Sequence, residues 1–377
     1  MWLDRVYHEA TGERIQLPKY GEILDFASND YLGLSSHPAI REAAESGIRE
    51  LGVGSQASRL ITGSLKCFQE LETRLASWKK KEASLLFNSG YQMGVSLIPA
   101  IADKSDTILA DRLSHACLID GMKSAGCRWS TFRHNDLNDL NSKLTEAAAK
   151  KSEHGIIFVI TEAVFSMDGD WGKLREIVDL KKKHKFILIV DEAHSGGLLG
   201  KHGEGLAHEL GIESAVDIWL GTGGKAMGVS GGFVCGSSSL IEWLTQKSRG
   251  WVFSTAPPPM VARALTRAID IISSEEGDQL RRKLNENLNY FTQLTGIPTL
   301  QGTPIIPVPV GDESAAIAAR ESLMKSGCLT GAIRYPTVPK HQARLRITIK
   351  ATHSRAAIKR LADSLIQGGL TVADSAK

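Results

Sequence analysis

The sequence is poor in cysteine, in net charge and in long apolar runs, and each shortage excludes a class of protein. Its five cysteines (Cys67, Cys117, Cys127, Cys235, Cys328) are odd in number, and no two have C-x-x-C spacing. A disulfide framework, a zinc finger and a dithiol redox site therefore drop out, and the thiols read as reduced. No uncharged run approaches the ~18 residues of a membrane span, and the opening MWLDRVYHEATGER lacks the basic-then-apolar order of a secretory leader. The net charge of +3 arises from 45 basic and 42 acidic residues, too even a balance for a nucleic-acid or membrane surface. The densest basic run, KKKHK from Lys181 to Lys185, falls at a helix end, where cations complement the dipole. Internal repeats and low-complexity tracts are also absent. What is left is a cytoplasmic enzyme or binding protein, and its 377 residues suggest two or more lobes.

Short apolar runs with polar endings dominate what is present. After an arm with turns (ILDFASNDYLGLSSHP) and a helix over residues 39–51, GVGSQASRLITGS carries a G-x-G-x-x-A pattern. A dinucleotide fingerprint must follow a strand; this one follows a helix and is rejected. Beyond a helix from Phe68 to Lys81, strand-like runs alternate with helical segments: ASLLFNSGY, DTILADRLSH, GIIFVITEAVFSMDGD, FILIVDEAHSGG, DIWLGTGGK and GGFVCG. Runs of this length are covered on both faces, and their alternation with helices predicts an α/β fold with a mainly parallel central sheet and a ligand crevice at the strand carboxyl ends. The proline run in STAPPPM marks a bend. It is followed by a helical tract from Val261 to Thr295, the strands PIIPVPV and ARLRITIKA, and a closing helix from Ser354. The expected division is an arm over 1–40, a large α/β domain over 41–260 and a smaller α+β C-terminal domain over 261–377.

Four strand endings carry the chemistry. DIWLGTGGKAMGVSGG delivers Lys225 into a loop of glycines, where a partly desolvated amine becomes nucleophilic. DEAH at Asp191 to His194 resembles an ATPase motif, but the required phosphate loop would need glycine at Trp219 and Ser or Thr at Ala226. A lone D-x-x-H is more often a hydrogen-bonded pair than a metal site, so no metal is expected. Pyridoxal phosphate accounts for more of the pattern. It needs a lysine for its aldehyde, an anion for its ring nitrogen, a phosphate cradle and a flat partner. Lys225, Asp191, the helix start at Ser89, Gly90 and Tyr91, and His115 meet those needs. Singly, His115 reads as an ordinary core or surface histidine, Asp191 as a cap, Ser89-Gly90 as a turn and Lys225 as a loop lysine; together they read as one site.

The segments SNDYLGL, SRLITG, LLFNSGY, ADRLSHAC, TEAVFSMDGD, VDEAH, TGGKAMGVSGG, FSTAPPP and AIRYPTVPKHQARLRIT resemble the α-oxoamine synthases. These are fold-type-I pyridoxal phosphate enzymes, aspartate-aminotransferase-like, which join an amino acid to an acyl thioester with loss of carbon dioxide. AIRYPTVP points to the branch that uses L-alanine and a pimeloyl thioester, on coenzyme A or a carrier protein, in biotin synthesis. The resemblance implies that Lys225 binds the cofactor covalently, Asp191 pairs with its nitrogen, His115 stacks on it, and His194 and Ser166 contact its hydroxyl. Gly90, Tyr91 and Thr222 would bind phosphate, and Thr255 would reach the phosphate of a second subunit in a homodimer with shared sites. Arg346 would hold the amino acid carboxylate, with Asn29 nearby and Thr337 lining the pocket. Departures are Phe68 where the family often has histidine, Gly94 where it often has asparagine, and Gly223 where a bulkier residue is common. Arg5 is the candidate for the upstream arginine of pimeloyl recognition. The alternatives are an α-oxoamine synthase for glycine or serine with another acyl-CoA, and a non-catalytic cofactor-binding homologue.

Overall fold

The structure, a computed structural model, describes residues 7–8 and 12–370; Arg5 lies outside them. Two compact units emerge: one of residues 38–165 and 171–277, the other of residues 1–37, 166–170 and 278–377. The chain opens on β1 (Arg14–Leu17) and β2 (Gly21–Asp25), an antiparallel pair of the second unit.

The larger unit begins with α1 (Pro38–Leu51) and α2 (Lys66–Trp78), then β3 (Ala83–Phe87) and α3 (Gly90–Ile101). After these come β4 (Thr107–Asp111), α4 (Ala116–Ser124), β5 (Arg128–Phe132), α5 (Leu137–Lys150), β6 (Ile157–Glu162), α6 (Leu174–Lys183) and β7 (Ile187–Asp191). A short α7 (Leu206–Glu209) leads to β8 (Ile218–Thr222) and β9 (Gly232–Gly236), and α8 (Ser238–Lys247), α9 (Arg249–Val252) and α10 (Pro259–Ile272) close the unit. Its seven strands form one sheet in the order β3-β9-β8-β7-β6-β4-β5, with β9 antiparallel to both neighbours and the rest mutually parallel. The expected mainly parallel sheet is thus present. Its centre is dry: every residue of β6 is buried, and Phe87, Leu97, Leu118, Ile160, Ile189 and Leu220 share one core cluster. Each such side chain contributes about 1.5–3 kcal/mol. The last turn of α6 carries Lys181, Lys182 and Lys183, the placement that its dipole favours.

Two elements differ from the sequence reading. β5 had no apolar run to announce it because it is an edge strand, with Arg128 and Trp129 exposed. The helical tract from Val261 to Thr295 is not continuous; α10 ends at Ile272, Ser273 is its C-cap, and α11 starts at Glu275 and ends at Thr295. Gly277 lets the new helix start close to the old one, since a Cβ there would lie 2.2 Å from the Ile272 carbonyl oxygen. Helix α10 packs on α1 and α2 within the larger unit.

The other unit combines β1 and β2 with two C-terminal elements, α11 from Asp278 onward and the segment from β10 (Ile305–Gly311) to α13 (Arg355–Gln367). Between them lie α12 (Glu313–Lys325), β11 (Cys328–Leu329), β12 (Gly331–Ile333) and β13 (Ala343–Thr348). One sheet runs β1-β2-β11 and the other β10-β13-β12. Ser354 caps α13 by accepting from the Ala357 N–H.

The larger unit contains a buried ion pair. Lys79 Nζ lies 2.9 Å from Glu192 Oε2, both side chains at most 1% exposed. Lys79 also donates to the Glu204 carbonyl, and Glu192 Oε1 accepts from the Ala207 N–H at 3.0 Å. Removing one partner strands the other charge in the core, at a cost of about 3–5 kcal/mol. Lys79→Met should therefore lower the denaturant midpoint strongly; a variant as stable as the parent would show that the pair is dispensable.

Candidate active site

The larger unit gathers its polar side chains where β3, β4, β6, β7 and β8 end. After β8 the chain turns through Thr222, Gly223 and Gly224 to Lys225. Gly228, at φ +68°, closes the loop with its N–H on the Lys225 carbonyl at 2.8 Å, a conformation open to glycine and strained for other residues. Gly223 is equally constrained, because a Cβ would lie 2.3 Å from the Ser230 carbonyl oxygen and 2.5 Å from Leu265. That close approach accounts for glycine where the family often carries a bulkier residue.

Lys225 Nζ lies 2.7 Å from His194 Nε2. His194 and Asp191 are both buried, and Asp191 Oδ1 accepts from the Ala193 N–H at 2.9 Å. Between them in sequence, Glu192 turns into the core to meet Lys79. The DEAH letters thus divide into two residues beside Lys225 and one structural ion-pair partner, and among the described residues no group of His, Cys, Asp and Glu could hold a metal ion.

Ser89, Gly90 and Tyr91 stand at the start of α3. The Ser89 hydroxyl accepts from the Gln92 N–H at 3.1 Å, while Tyr91 is half exposed with its hydroxyl on Asp120 at 2.7 Å. A Cβ on Gly90 would lie 3.5 Å from Thr222 Oγ1, and one on Gly232 would lie 2.7 Å from Gly90 Cα. The segment around the lysine loop and the α3 N-terminus therefore lie against each other, and a helix start of this kind favours an anion. Thr255 is exposed, bridges to Ser58 and offers its carbonyl to Asn88 Nδ2 at 3.0 Å.

His115 caps α4 through Nδ1, which accepts from the Cys117 N–H at 3.3 Å. Burial lowers its pKa, Lys225 lowers it further and Asp191 opposes them. Glu162, which ends β6 directly opposite Asp191 on β7, is 2% exposed, and its Oε1 is buried with no hydrogen-bond partner. Burial pushes its pKa well above the carboxylate range and Asp191 adds to this, while Lys225 and the His115 backbone N–H pull it down. Burial and Asp191 thus drive Glu162 toward its neutral form.

The second unit carries the other candidates. Arg346 on β13 is 7% exposed; its Nε donates to the Ser166 carbonyl at 2.7 Å, Nη1 to Thr348 Oγ1 at 3.3 Å and Nη2 to Asn29 Oδ1 at 3.1 Å. Tyr31 donates to Asn29 Oδ1 at 3.1 Å and hydrogen-bonds Arg346; burial pushes its pKa up to about 12, against the pull of the arginine. A guanidinium has five N–H donors; the bonds to Ser166, Thr348, Asn29 and Tyr31 leave one for a further acceptor. Thr337 is exposed in the turn after β12, its N–H donating to the Arg334 carbonyl at 2.9 Å.

Residues 21–365 match the family described as aminotransferase class I and II. Over 338 residues the chain is 41% identical to the 8-amino-7-oxononanoate synthase of Thermoanaerobacter pseudethanolicus, covering 89% of this chain and 84% of that one. It belongs to this family, as an acyltransferase of the α-oxoamine synthase group. Two solved structures share the fold of this α-oxoamine synthase. One is serine palmitoyltransferase from S. paucimobilis with a bound PLP-myriocin aldimine, at TM-score 0.90 and 26% identity over 97% of this chain and 92% of that one. The other is 8-amino-7-oxononanoate synthase from Francisella tularensis, at TM-score 0.77 and 28% identity over 92% and 97%. The fold-type-I expectation from sequence is therefore met.

Sequence reasoning missed Glu162, Cys117 and Tyr31 in this α-oxoamine synthase. Glu162 was readable as a fifth polar strand ending, in VITEAV, but its pairing with Asp191 is not local. Glu162→Gln tests its protonation. The unfolded chain releases this proton in the ordinary carboxylate range and the folded chain holds it to higher pH, so stability due to Glu162 is lost as pH rises through that window. Measured without cofactor, the melting temperature of Glu162→Gln relative to the parent should rise from that pH upward. A difference constant with pH would mean that Glu162 is ionised in the fold.

Proposed function

We propose that the protein binds pyridoxal 5'-phosphate on Lys225 and condenses L-alanine with a pimeloyl thioester, giving 8-amino-7-oxononanoate, carbon dioxide and the free thiol. The observation that carries this reading is the Lys225 amine 2.7 Å from His194, one strand away from buried Asp191, in a chain 41% identical to a protein of that name. The residues fit the cofactor: an amine for its aldehyde, a carboxylate for its ring nitrogen, and the Ser89–Gly90–Thr222 hollow for its phosphate. When bound, pyridoxal phosphate supplies an electron sink for charge developing at the amino acid Cα.

The chain's own residues supply the rest. Lys225 Nζ would serve as the base that takes the α-proton of the amino acid and would return a proton to that carbon after carbon dioxide is lost. His194 orients that amine. His115 provides a flat face, and Asp191 keeps a negative charge in a buried place where its influence is little screened. Arg346 receives the amino acid carboxylate, its fork fixed by Ser166, Asn29 and Thr348. Thr255 and a second copy of the chain complete the phosphate site in a homodimer.

The amino acid is tested by adding L-alanine, glycine and L-serine in turn to protein reconstituted with pyridoxal phosphate, then assaying thiol and carbon dioxide release with pimeloyl thioesters. Alanine should perturb the visible band most and alone give product. Glycine or serine in that role would move the substrate within the family, and a bound cofactor without turnover would favour a non-catalytic homologue. Lys225→Ala should leave no borohydride-reducible adduct and negligible turnover; full activity in that variant would refute the assignment. Arg346→Lys, which keeps charge but loses the fork, should raise KM for the amino acid about 10- to 100-fold, the range of a charge-assisted hydrogen bond, with cofactor affinity little changed. An unaltered KM would remove Arg346 from the carboxylate site.

A further inference from the structure

His115 has one ring nitrogen turned to the protein, and what meets it decides the form of the imidazole. Cys117 approaches Nδ1 twice: its backbone N–H lies at 3.3 Å and its Sγ at 3.0 Å. Cys117 is 2% exposed, and burial, followed by the neighbouring Asp191, pushes the thiol far up. It therefore remains S–H, a donor rather than a thiolate acceptor. Two donors converging on one nitrogen leave it no room for a proton of its own.

The sulfur reaches that position because Gly94 has no side chain. A Cβ on Gly94 would lie 2.5 Å from Cys117 Sγ and 3.0 Å from its Cβ, and a Cβ on Gly121 would lie 2.7 Å from the Gly94 carbonyl oxygen. Helices α3 and α4 thus meet through glycines, with Cys117 filling the gap.

We propose that Cys117 is a positioning residue for His115, fixing the imidazole as the neutral tautomer protonated on Nε2, and that Gly94 is the small residue that admits its sulfur. The groups facing His115 are Asp191 from β7, Lys225 from the loop after β8 and Glu162 from β6 against its backbone. Only Asp191, with its negative charge, favours an imidazolium, and burial and Lys225 oppose it. On the functional reading above, the consequence is that the ring stacked on a cationic pyridine carries no charge of its own and presents Nε2–H as a donor.

The test uses the full-length protein without cofactor, labelled with 15N, so it stands or falls apart from the Lys225 assays. Long-range 1H–15N spectra, with the His115 signals assigned by their loss in His115→Gln, report which nitrogen is protonated as pH is varied. The parent should show an unprotonated Nδ1 and protonated Nε2 at neutral pH. Cys117→Ser keeps a donor and should preserve that pattern. Cys117→Ala, which leaves only the 3.3 Å backbone N–H on Nδ1, should add a detectable share of the Nδ1-protonated tautomer and move the titration up toward the ordinary histidine range. Gly94→Ala should reproduce the Cys117→Ala spectrum, because the added methyl displaces the sulfur, and the double variant should fold with the same spectrum. A parent protonated on Nδ1 would overturn the proposal by itself, as would a Cys117→Ala protein with the parent's tautomer and titration.

Discussion

Two carboxyl groups end adjacent strands side by side, Glu162 on β6 and Asp191 on β7, and the dry sheet beneath them has room for one negative charge. At such a spacing in a poorly screened interior, ionising both is far costlier than ionising one. Each takes one backbone N–H, Asp191 from Ala193 and Glu162 from His115. Burial, with one oxygen of Glu162 left unpartnered, pushes the Glu162 pKa up, and Asp191 adds to this. Around Lys225 the larger unit therefore gathers the Asp191 carboxyl with Glu162 and His115, both of which burial pushes toward their neutral forms. The proposed reaction, which would build and disperse charge near Lys225, would depend on that balance, because an extra fixed charge would bias a proton carried by the amine.

Support for this arrangement comes from behind the site. The segment from Asp191 to Ala207 could swing as a long loop, but Glu192 anchors it through Lys79 and the Ala207 N–H. The Lys79 ammonium also lies 4.9 Å from the Trp219 ring centroid and 4.6 Å from that of Trp78. Adjacent residues thus divide: His194 meets Lys225, while Glu192 meets a buried cation. One acidic letter of DEAH is therefore a scaffold ion-pair partner.

Much of this was legible in the sequence because parallel strands write themselves as apolar runs with polar endings. The glycine-lysine loop, the α3 start and the DEAH strand end were all read from such runs. What stayed hidden depends on neighbours distant in sequence. Glu162 is notable only because β7 places Asp191 beside it, and Cys117 looked like any reduced thiol until α3 brought Gly94 against it. β5 was lost for the reverse reason: an edge strand need not be apolar. No local signal showed that residues 166–170, within a stretch otherwise belonging to the larger unit, group with the C-terminal one, where Arg346 holds the Ser166 carbonyl and Arg344 pairs with Asp168.

The departures from the family pattern can be placed in the same physical terms. Phe68 is fully buried under the Arg59 guanidinium, 4.9 Å from its ring centroid, and Arg59 itself forks onto Glu72 with two bonds of 3.0 Å. A histidine there would bring two polar nitrogens to a spot already served by that ion pair. Gly223 and Gly94 each leave a space that the chain fills, with the Ser230 carbonyl and the Cys117 sulfur respectively. Phe68 puts an apolar ring where the family often has a titratable histidine, while two of the changes, Gly94 and Gly223, lie in how helices and loops pack. Substitutions of this kind alter the firmness with which reacting groups are held, so their effects belong in tautomers and titrations more than in the identity of the reaction.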